Sequence, residues 1–173
     1  MAKLVKGDKF PDFTVDTHMK KGVKISQIVD GKPTALLVIR YIGCTVCRYD
    51  VHQIAVNYQK FVDRGLNVAV VMQSTAENVN KDLERTKETL PYPIVCDPEE
   101  KIYKELEILP AESMEALVGG DMAGLQAKGA RAAQRGYVHG EYEGNEQQLP
   151  AFFFLAPDLT VKYAHYAKNI VDI

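Results

Sequence analysis

Cysteines 44 and 47 stand two residues apart in the stretch Arg40-Tyr-Ile-Gly-Cys-Thr-Val-Cys-Arg48. A pair at that spacing can cycle between dithiol and disulfide, supply part of a zinc site, or act as two small buried side chains. A tetrahedral metal site needs two further ligands. The chain offers only Cys96 and the scattered His18, His52, His139 and His165, with no second C-x-x-C and no H-x-x-x-H. No metal is expected, and no cofactor is called for. Three cysteines cannot build a disulfide scaffold, and the odd count leaves one thiol over. In a reducing compartment such a pair points to redox catalysis.

Reactivity depends on what holds the pair. Upstream, Pro33-Thr-Ala-Leu-Leu-Val-Ile-Arg40 is apolar through its middle, the pattern of a strand covered on both faces. Downstream, Val51, Ile54, Ala55, Tyr58, Phe61 and Val62 recur at three-to-four spacing, which predicts a helix from about Cys44 to Asp63, stopped by Gly65. The pair then lies at a helix N-terminus, at the carboxyl end of a central strand, where open α/β sheets place their sites. Unpaired N–H groups and the positive end of the dipole stabilise a thiolate there. Cys44, nearest the cap, gains most; Cys47 sits one turn inside on the same side, close enough to close a disulfide. Gly43 and Thr45 flank the first cysteine. Arg40 and Arg48 either add positive charge or are solvated. Pro150, just before Ala151-Phe-Phe-Phe-Leu155, is either an ordinary strand-entry proline or, with a cis bond, a device that holds the chain against the thiols.

The remaining elements follow from pattern. Leu66 to Met72 reads as a second buried strand. Ser74 with Glu77 matches a capping box opening a helix through Val79, Leu83 and Leu90. Tyr92 to Cys96 gives a short strand, and Asp97-Pro98-Glu99-Glu100 reads as a helix start. Ala111 to Arg135 is helical in part, Gly136 to Asn145 a loop. Ala151 to Leu155 and Thr160 to Tyr166 pair as a hairpin across Ala156-Pro157-Asp158-Leu159. This order predicts an α/β sandwich with a mixed sheet, one domain over residues 1–173, and an insertion at about 107–149 before the last hairpin.

Composition narrows the classes. Hydrophobic residues at 46% and charged residues at 25% are ordinary for a globular chain, and a net charge of −2 gives no reason to expect nucleic acid or an anionic membrane. No apolar run reaches the length of a spanning helix, and the first residues carry no signal-peptide core, so the expectation is a cytoplasmic protein.

Together these residues resemble the thioredoxin-like fold, a three-layer sandwich, and more closely its peroxiredoxin-like (AhpC/TSA, redoxin) branch. Gly7-Asp8-Lys9-Phe10-Pro11-Asp12-Phe13 is similar to that branch's G-D-x-x-P-x-F opening, Tyr92-Pro-Ile-Val-Cys-Asp97 to its mid-chain segment, and Leu149-Pro150-Ala151-Phe152 to Pro157-Asp158 to its late hairpin. The family pattern around the peroxide-attacking cysteine is P-x-x-x-[TS]-x-x-C. With Cys47 in that place, Arg40 stands where the proline should be and Cys44 where Thr or Ser should be. Pro150 resembles the cis-proline that faces the CxxC of thioredoxins.

The resemblance thus implies dithiol–disulfide exchange through Cys44 and Cys47; Cys44, nearer the dipole end, is expected to attack and Cys47 to resolve. The alternative it implies is a thiol peroxidase attacking through Cys47 or Cys44; a redox sensor or binding module without turnover is the third reading. The implied partners are a thiol reductant and a disulfide or peroxide substrate. Cys96, at a strand end on the same edge, is either a possible resolving cysteine or a small buried residue. Thioredoxin-like domains close with a helix after the last hairpin. Here Lys168 to Ile173 follows instead, which leaves one sheet face poorly covered or covered by a second copy in a homodimer.

Overall fold

The structure is a computed structural model that describes residues 2–173. The chain opens with a small antiparallel ribbon, β1 (Thr14–Thr17) and β2 (Val23–Lys24), and a one-turn helix α1 (Ile25–Val29). Then come β3 (Thr34–Val38), α2 (Thr45–Val56), α3 (Tyr58–Val62), β4 (Asn67–Met72), α4 (Ala76–Thr86) and β5 (Ile94–Cys96). Three helices follow, α5 (Lys101–Glu105), α6 (Met114–Val118) and α7 (Met122–Gln134), before the hairpin β6 (Ala151–Leu155) and β7 (Val161–Tyr166).

Among the described residues the strands form one seven-stranded sheet, ordered β2-β1-β5-β4-β3-β6-β7. The pairs β3–β4 and β4–β5 are parallel; β3–β6, β6–β7, β1–β5 and β1–β2 are antiparallel. The sheet is therefore mixed, with its central strands buried. Period-two alternation sorts their side chains into two cores. Ala35, Val68, Val70, Met72 and Ile94 face one layer, with Val46, Cys47 and Val51 of α2 and Val79 and Leu83 of α4. Leu36, Val38, Ala69, Val71 and Phe153 face the other, with Ile25 and Val29 of α1 and Ile102 and Tyr103 of α5. This is the three-layer arrangement expected.

Several boundaries differ from the sequence reading. The helix expected over 44–63 is interrupted at Asn57, whose side-chain amide donates to the Gln53 carbonyl at 2.8 Å and so competes with the helical ladder. Val62 falls on the outer side, 44% exposed. The N-cap of α4 is Thr75, not Ser74; the Ser74 hydroxyl instead accepts from the Ile42 N–H at 2.9 Å, pinning the turn before the cysteines. That helix ends at Thr86, with Lys87 in the left-handed region, so Leu90 is buried beyond it. Asp97 does not start a helix directly. Pro98 to Glu100 form a turn, while the Asp97 carboxylate reaches over it to accept from the N–H groups of Lys101 and Ile102.

The segment between α5 and β6 is stitched at its base by a bridge between Pro110 and Gln148 and by the Gln148 side chain donating to the Ile108 carbonyl at 2.6 Å. Its helix α7 packs on α2, and the final residues turn back onto α6, Ile170 N–H bonding the Leu117 carbonyl. One part of the sheet stays open. A groove of about 600 Å³ runs between α2–α3 and the strands, lined by Leu37, Ile54, Phe61, Phe152 and Tyr163.

Candidate active site

Arg40 and Tyr41 leave the carboxyl end of β3, and the chain turns through Ile42 and Gly43 into α2. Cys44 is the N-cap, with extended backbone (φ −71°, ψ 119°), and its sulfur accepts from the Cys47 N–H at 3.4 Å. Thr45, half-buried, is the first helical residue. The Arg40 Nη2 donates to Cys44 Sγ at 2.9 Å, while Nη1 donates to the Glu146 carbonyl at 2.6 Å. The guanidinium is buried, and its Nε has no partner.

These contacts set the two sulfurs apart. Burial alone would push the Cys44 thiol up. A hydrogen bond from the Cys47 thiol, the Arg40 charge and the Cys47 N–H outweigh it and hold Cys44 well below the usual thiol range. Cys47 is pushed the other way, first by burial and then by the negative sulfur beside it. One thiolate next to one thiol is the arrangement that thiol–disulfide exchange uses.

The other candidates divide. Pro150 lines a small cavity together with Arg40, Cys47 and Asp50, so the late strand brings it near the second cysteine. No cis peptide bond occurs among the described residues, so Pro150 is trans; its carbonyl accepts from the Ala167 N–H within the hairpin. Gly43 is needed for close approach, since a Cβ there would lie 2.5 Å from the Glu141 carbonyl oxygen. Arg48 is neither solvated nor beside the thiolate. Its Nε meets Asp82 at 2.5 Å and its Nη2 meets Glu88 at 3.2 Å, with the guanidinium 4.5 Å from the centre of the Tyr137 ring. It turns toward α4 because α2 presents residue 48 to that helix, where two carboxylates compensate its burial.

Cys96 ends β5, paired with Met72, and its thiol donates to the Ile94 carbonyl. It lines a separate hollow with Asp16, Asp97 and Lys101, and burial, Asp16 and Glu143 push it up to about 12. This surrounding makes it a poor resolving thiol.

Sequence reasoning missed the cover. Cys44 is 1% exposed and Cys47 3%, and a strap from Tyr137 to Gln148 runs against the turn that leads into them. Gly140 N–H bonds the Gly43 carbonyl at 2.9 Å, Thr75 N–H bonds the Glu143 carboxylate at 3.0 Å, and Asn145 N–H bonds the Gln73 side chain at 2.7 Å. Tyr41, His139 and Tyr142 cluster above, the Tyr41 hydroxyl 3.1 Å from His139 Nε2. Glycines and scattered acids gave no sign of where this loop would lie. Asp50 and Lys128, joined at 2.6 Å beside Cys47, were also missed; the three-residue spacing from Cys47 could have found the first. Among the described residues no three His, Cys, Asp or Glu side chains cluster as a metal site would require.

With the geometry in place, comparison with known proteins decides the family. Residues 6–164 match the AhpC/TSA family. The chain belongs to that family. Its fold is similar to that of a cysteine-to-serine mutant of peroxiredoxin 6 from Arenicola marina, with a TM-score of 0.68 at 15% identity over 93% of this chain. The chain spans 64% of the length of that protein. AhpC of Enterococcus faecalis aligns with a TM-score of 0.64 at 15% identity, over 96% of this chain and 82% of its own. A Chlorobium tepidum protein provisionally named thiol:disulfide interchange protein DsbE aligns at 0.60 and 18% identity, over 94% and 86%. No match was found among curated proteins. These likenesses establish the thioredoxin-like peroxiredoxin fold for an AhpC/TSA chain that carries CxxC.

Proposed function

We propose that this AhpC/TSA protein is a thiol-dependent oxidoreductase that performs dithiol–disulfide exchange through Cys44 and Cys47. The observation that carries this reading is the Arg40–Cys44 contact at 2.9 Å on a sulfur that also caps the helix by accepting from the Cys47 N–H. The Cys44 thiolate attacks one sulfur of a substrate disulfide, forming a mixed disulfide and expelling one thiolate. Until then the negative sulfur of Cys44 opposes ionisation of Cys47. Once Cys44 is covalently occupied that opposition ends, while the Arg40 cation remains. Cys47 then attacks Cys44, releases the second thiolate and leaves the pair oxidised. A thiol reductant of the thioredoxin or small-thiol class restores the dithiol.

A thiol peroxidase is the second reading, favoured by family membership and by the unpartnered Arg40 Nε, a buried donor available to a peroxide oxygen. The geometry supports Cys44 rather than Cys47 as attacker in that reaction also, because only Cys44 is held as thiolate. NADPH-linked consumption of hydrogen peroxide, measured beside reduction of a model disulfide, separates the two. Faster disulfide reduction is expected; turnover of peroxide alone would replace the first reading with the second. Turnover of neither would leave the redox-sensor reading.

Either reaction requires the strap to lift, since the sulfurs are enclosed. A cytoplasmic setting fits a dithiol resting state, and a homodimer fits the open groove beside α2. Light scattering at micromolar concentration tests the dimer, a monomer mass counting against it.

A further inference from the structure

Resolution of the mixed disulfide poses a problem that the two cysteines and Arg40 do not solve. Cys47 must lose a proton inside a closed site, and neither Arg40 nor Cys44 can take it. We propose that Asp50 is the proton acceptor for Cys47 in the second half of the exchange and that Lys128, reaching in from the insertion, holds its carboxylate in place. The proposal rests on the exchange reading given above.

Three observations support it. Asp50 follows Cys47 by three positions in α2, so the two lie on one face, with Cβ atoms about 5–6 Å apart. Both border the same small cavity, in which Asp50 is the only carboxylate among the described residues. And both Asp50 oxygens are held by one ammonium, Lys128 Nζ, at 2.6 and 2.8 Å. Other carboxylates near α2 are committed elsewhere: Asp82 and Glu88 to Arg48, and Glu88 also to His52.

Charged and titratable groups surround Asp50 from every side. Arg40 and Cys47 share its cavity, Lys128 comes from α7, His165 of β7 borders the adjoining groove, and the Tyr92 hydroxyl lies near, bonded to the Val51 carbonyl. Burial raises Asp50 from the ordinary carboxylate value and Lys128 opposes that rise, so it is a stronger base than a solvated aspartate.

The step balances. The Cys47 thiol passes its proton to the Asp50 carboxylate as its sulfur bonds to Cys44. The bond between Cys44 and the substrate sulfur breaks, and the departing thiolate takes the proton back from Asp50. The protein loses two electrons to the substrate, and Asp50 ends ionised as it began.

Reaction of the full-length dithiol protein with 5,5′-dithiobis(2-nitrobenzoate) reads the two halves separately. The first chromophore is released by Cys44, the second by Cys47. Asp50→Asn is expected to leave the first phase unchanged and slow the second about a hundredfold. The slowed phase should rise about tenfold per pH unit where the wild-type phase is flat, because hydroxide then replaces the carboxylate. The double variant Asp50→Asn/Lys128→Gln restores a neutral pair and guards against simple loss of folding. It is expected to stay slow, whereas a merely structural ion pair would be rescued. A second phase at wild-type rate in Asp50→Asn, or rescue in the double variant, overturns the proposal. Release of a single chromophore by the wild type would instead refute the exchange reading itself, and this proposal with it.

Discussion

Cys44 and Cys96 both sit where central strands of one sheet end, and both are buried, yet their thiols are driven in opposite directions. At the first corner the chain leaves the strand and turns into a helix on which a sulfur takes the N-cap position and receives a backbone N–H. Arg40, from the strand end, adds its charge. At the second corner the cysteine is still the last residue of the strand, a turn separates it from the helix, and Asp97 rather than the cysteine satisfies the helix's N–H groups. The neighbours there are Asp16 and Glu143, which oppose a negative sulfur. A strand end is therefore no guarantee of reactivity; who caps the next helix, and with what charge, decides it.

Removing the sulfurs breaks this contrast most sharply. Cys44→Ser is expected to lower turnover by about three orders of magnitude or more, as loss of an attacking nucleophile does. Cys96→Ser should leave turnover unchanged. A comparable loss in both variants would show that Cys96 belongs to the catalytic cycle.

The two arginines are the next test, since they divide structure from chemistry. Arg48→Ala leaves Asp82 and Glu88 without their buried cation and should cost about 3–5 kcal/mol in urea unfolding, with no change in the pH at which Cys44 ionises. Arg40→Met should do the reverse. Loss of the guanidinium raises the Cys44 pKa, so alkylation by iodoacetamide at pH 7 slows about tenfold for each unit of rise, with full reactivity regained at higher pH.

Gly43→Ala should sharpen the role of the cover. Its Cβ would press on the Glu141 carbonyl, forcing the strap away. Faster alkylation of Cys44 at unchanged pH dependence is expected; slower alkylation would mean that the strap helps to form the site rather than close it.

The smallest effect concerns stability against pH. Cys96 has a folded-state pKa raised to about 12, so its contribution is full below the ordinary thiol pKa and is lost as pH rises toward that value. Cys44 has a depressed folded-state pKa, so its contribution is full above the ordinary thiol pKa and is lost as pH falls through the lowered one. Above pH 9, Cys96→Ser should therefore flatten the alkaline decline in unfolding midpoint, and Cys44→Ser should not.

Much of this was legible along the chain because it depends on neighbours in sequence. The alternation of Ala35 to Val38 and the spacing of Val51, Ile54 and Phe61 encode faces, and faces encode layers. The strand-to-helix step at Cys44 is equally local, since a cap needs only the residues on either side. The breaks were less visible. Asn57 interrupts its helix through a side-chain bond that competes with apolar periodicity, and Thr75 takes the cap because Ser74 is used by Ile42. Asp97 kept its bonding role but shifted the helix start by a turn.

The sequence by itself determined that two sulfurs would share the first turn of a helix, because a 3.6-residue repeat stacks positions three apart. Only the tertiary structure decided which charges those sulfurs feel. Arg40 and Arg48 look alike in sequence, but one turns to the thiolate and the other to α4. Lys128 reaches Asp50 from 78 positions away, and Glu146 reaches Arg40 from 106. Such partners are set by how helices and a long loop pack, and electrostatic energy depends on distance through space, which separation along a chain does not record.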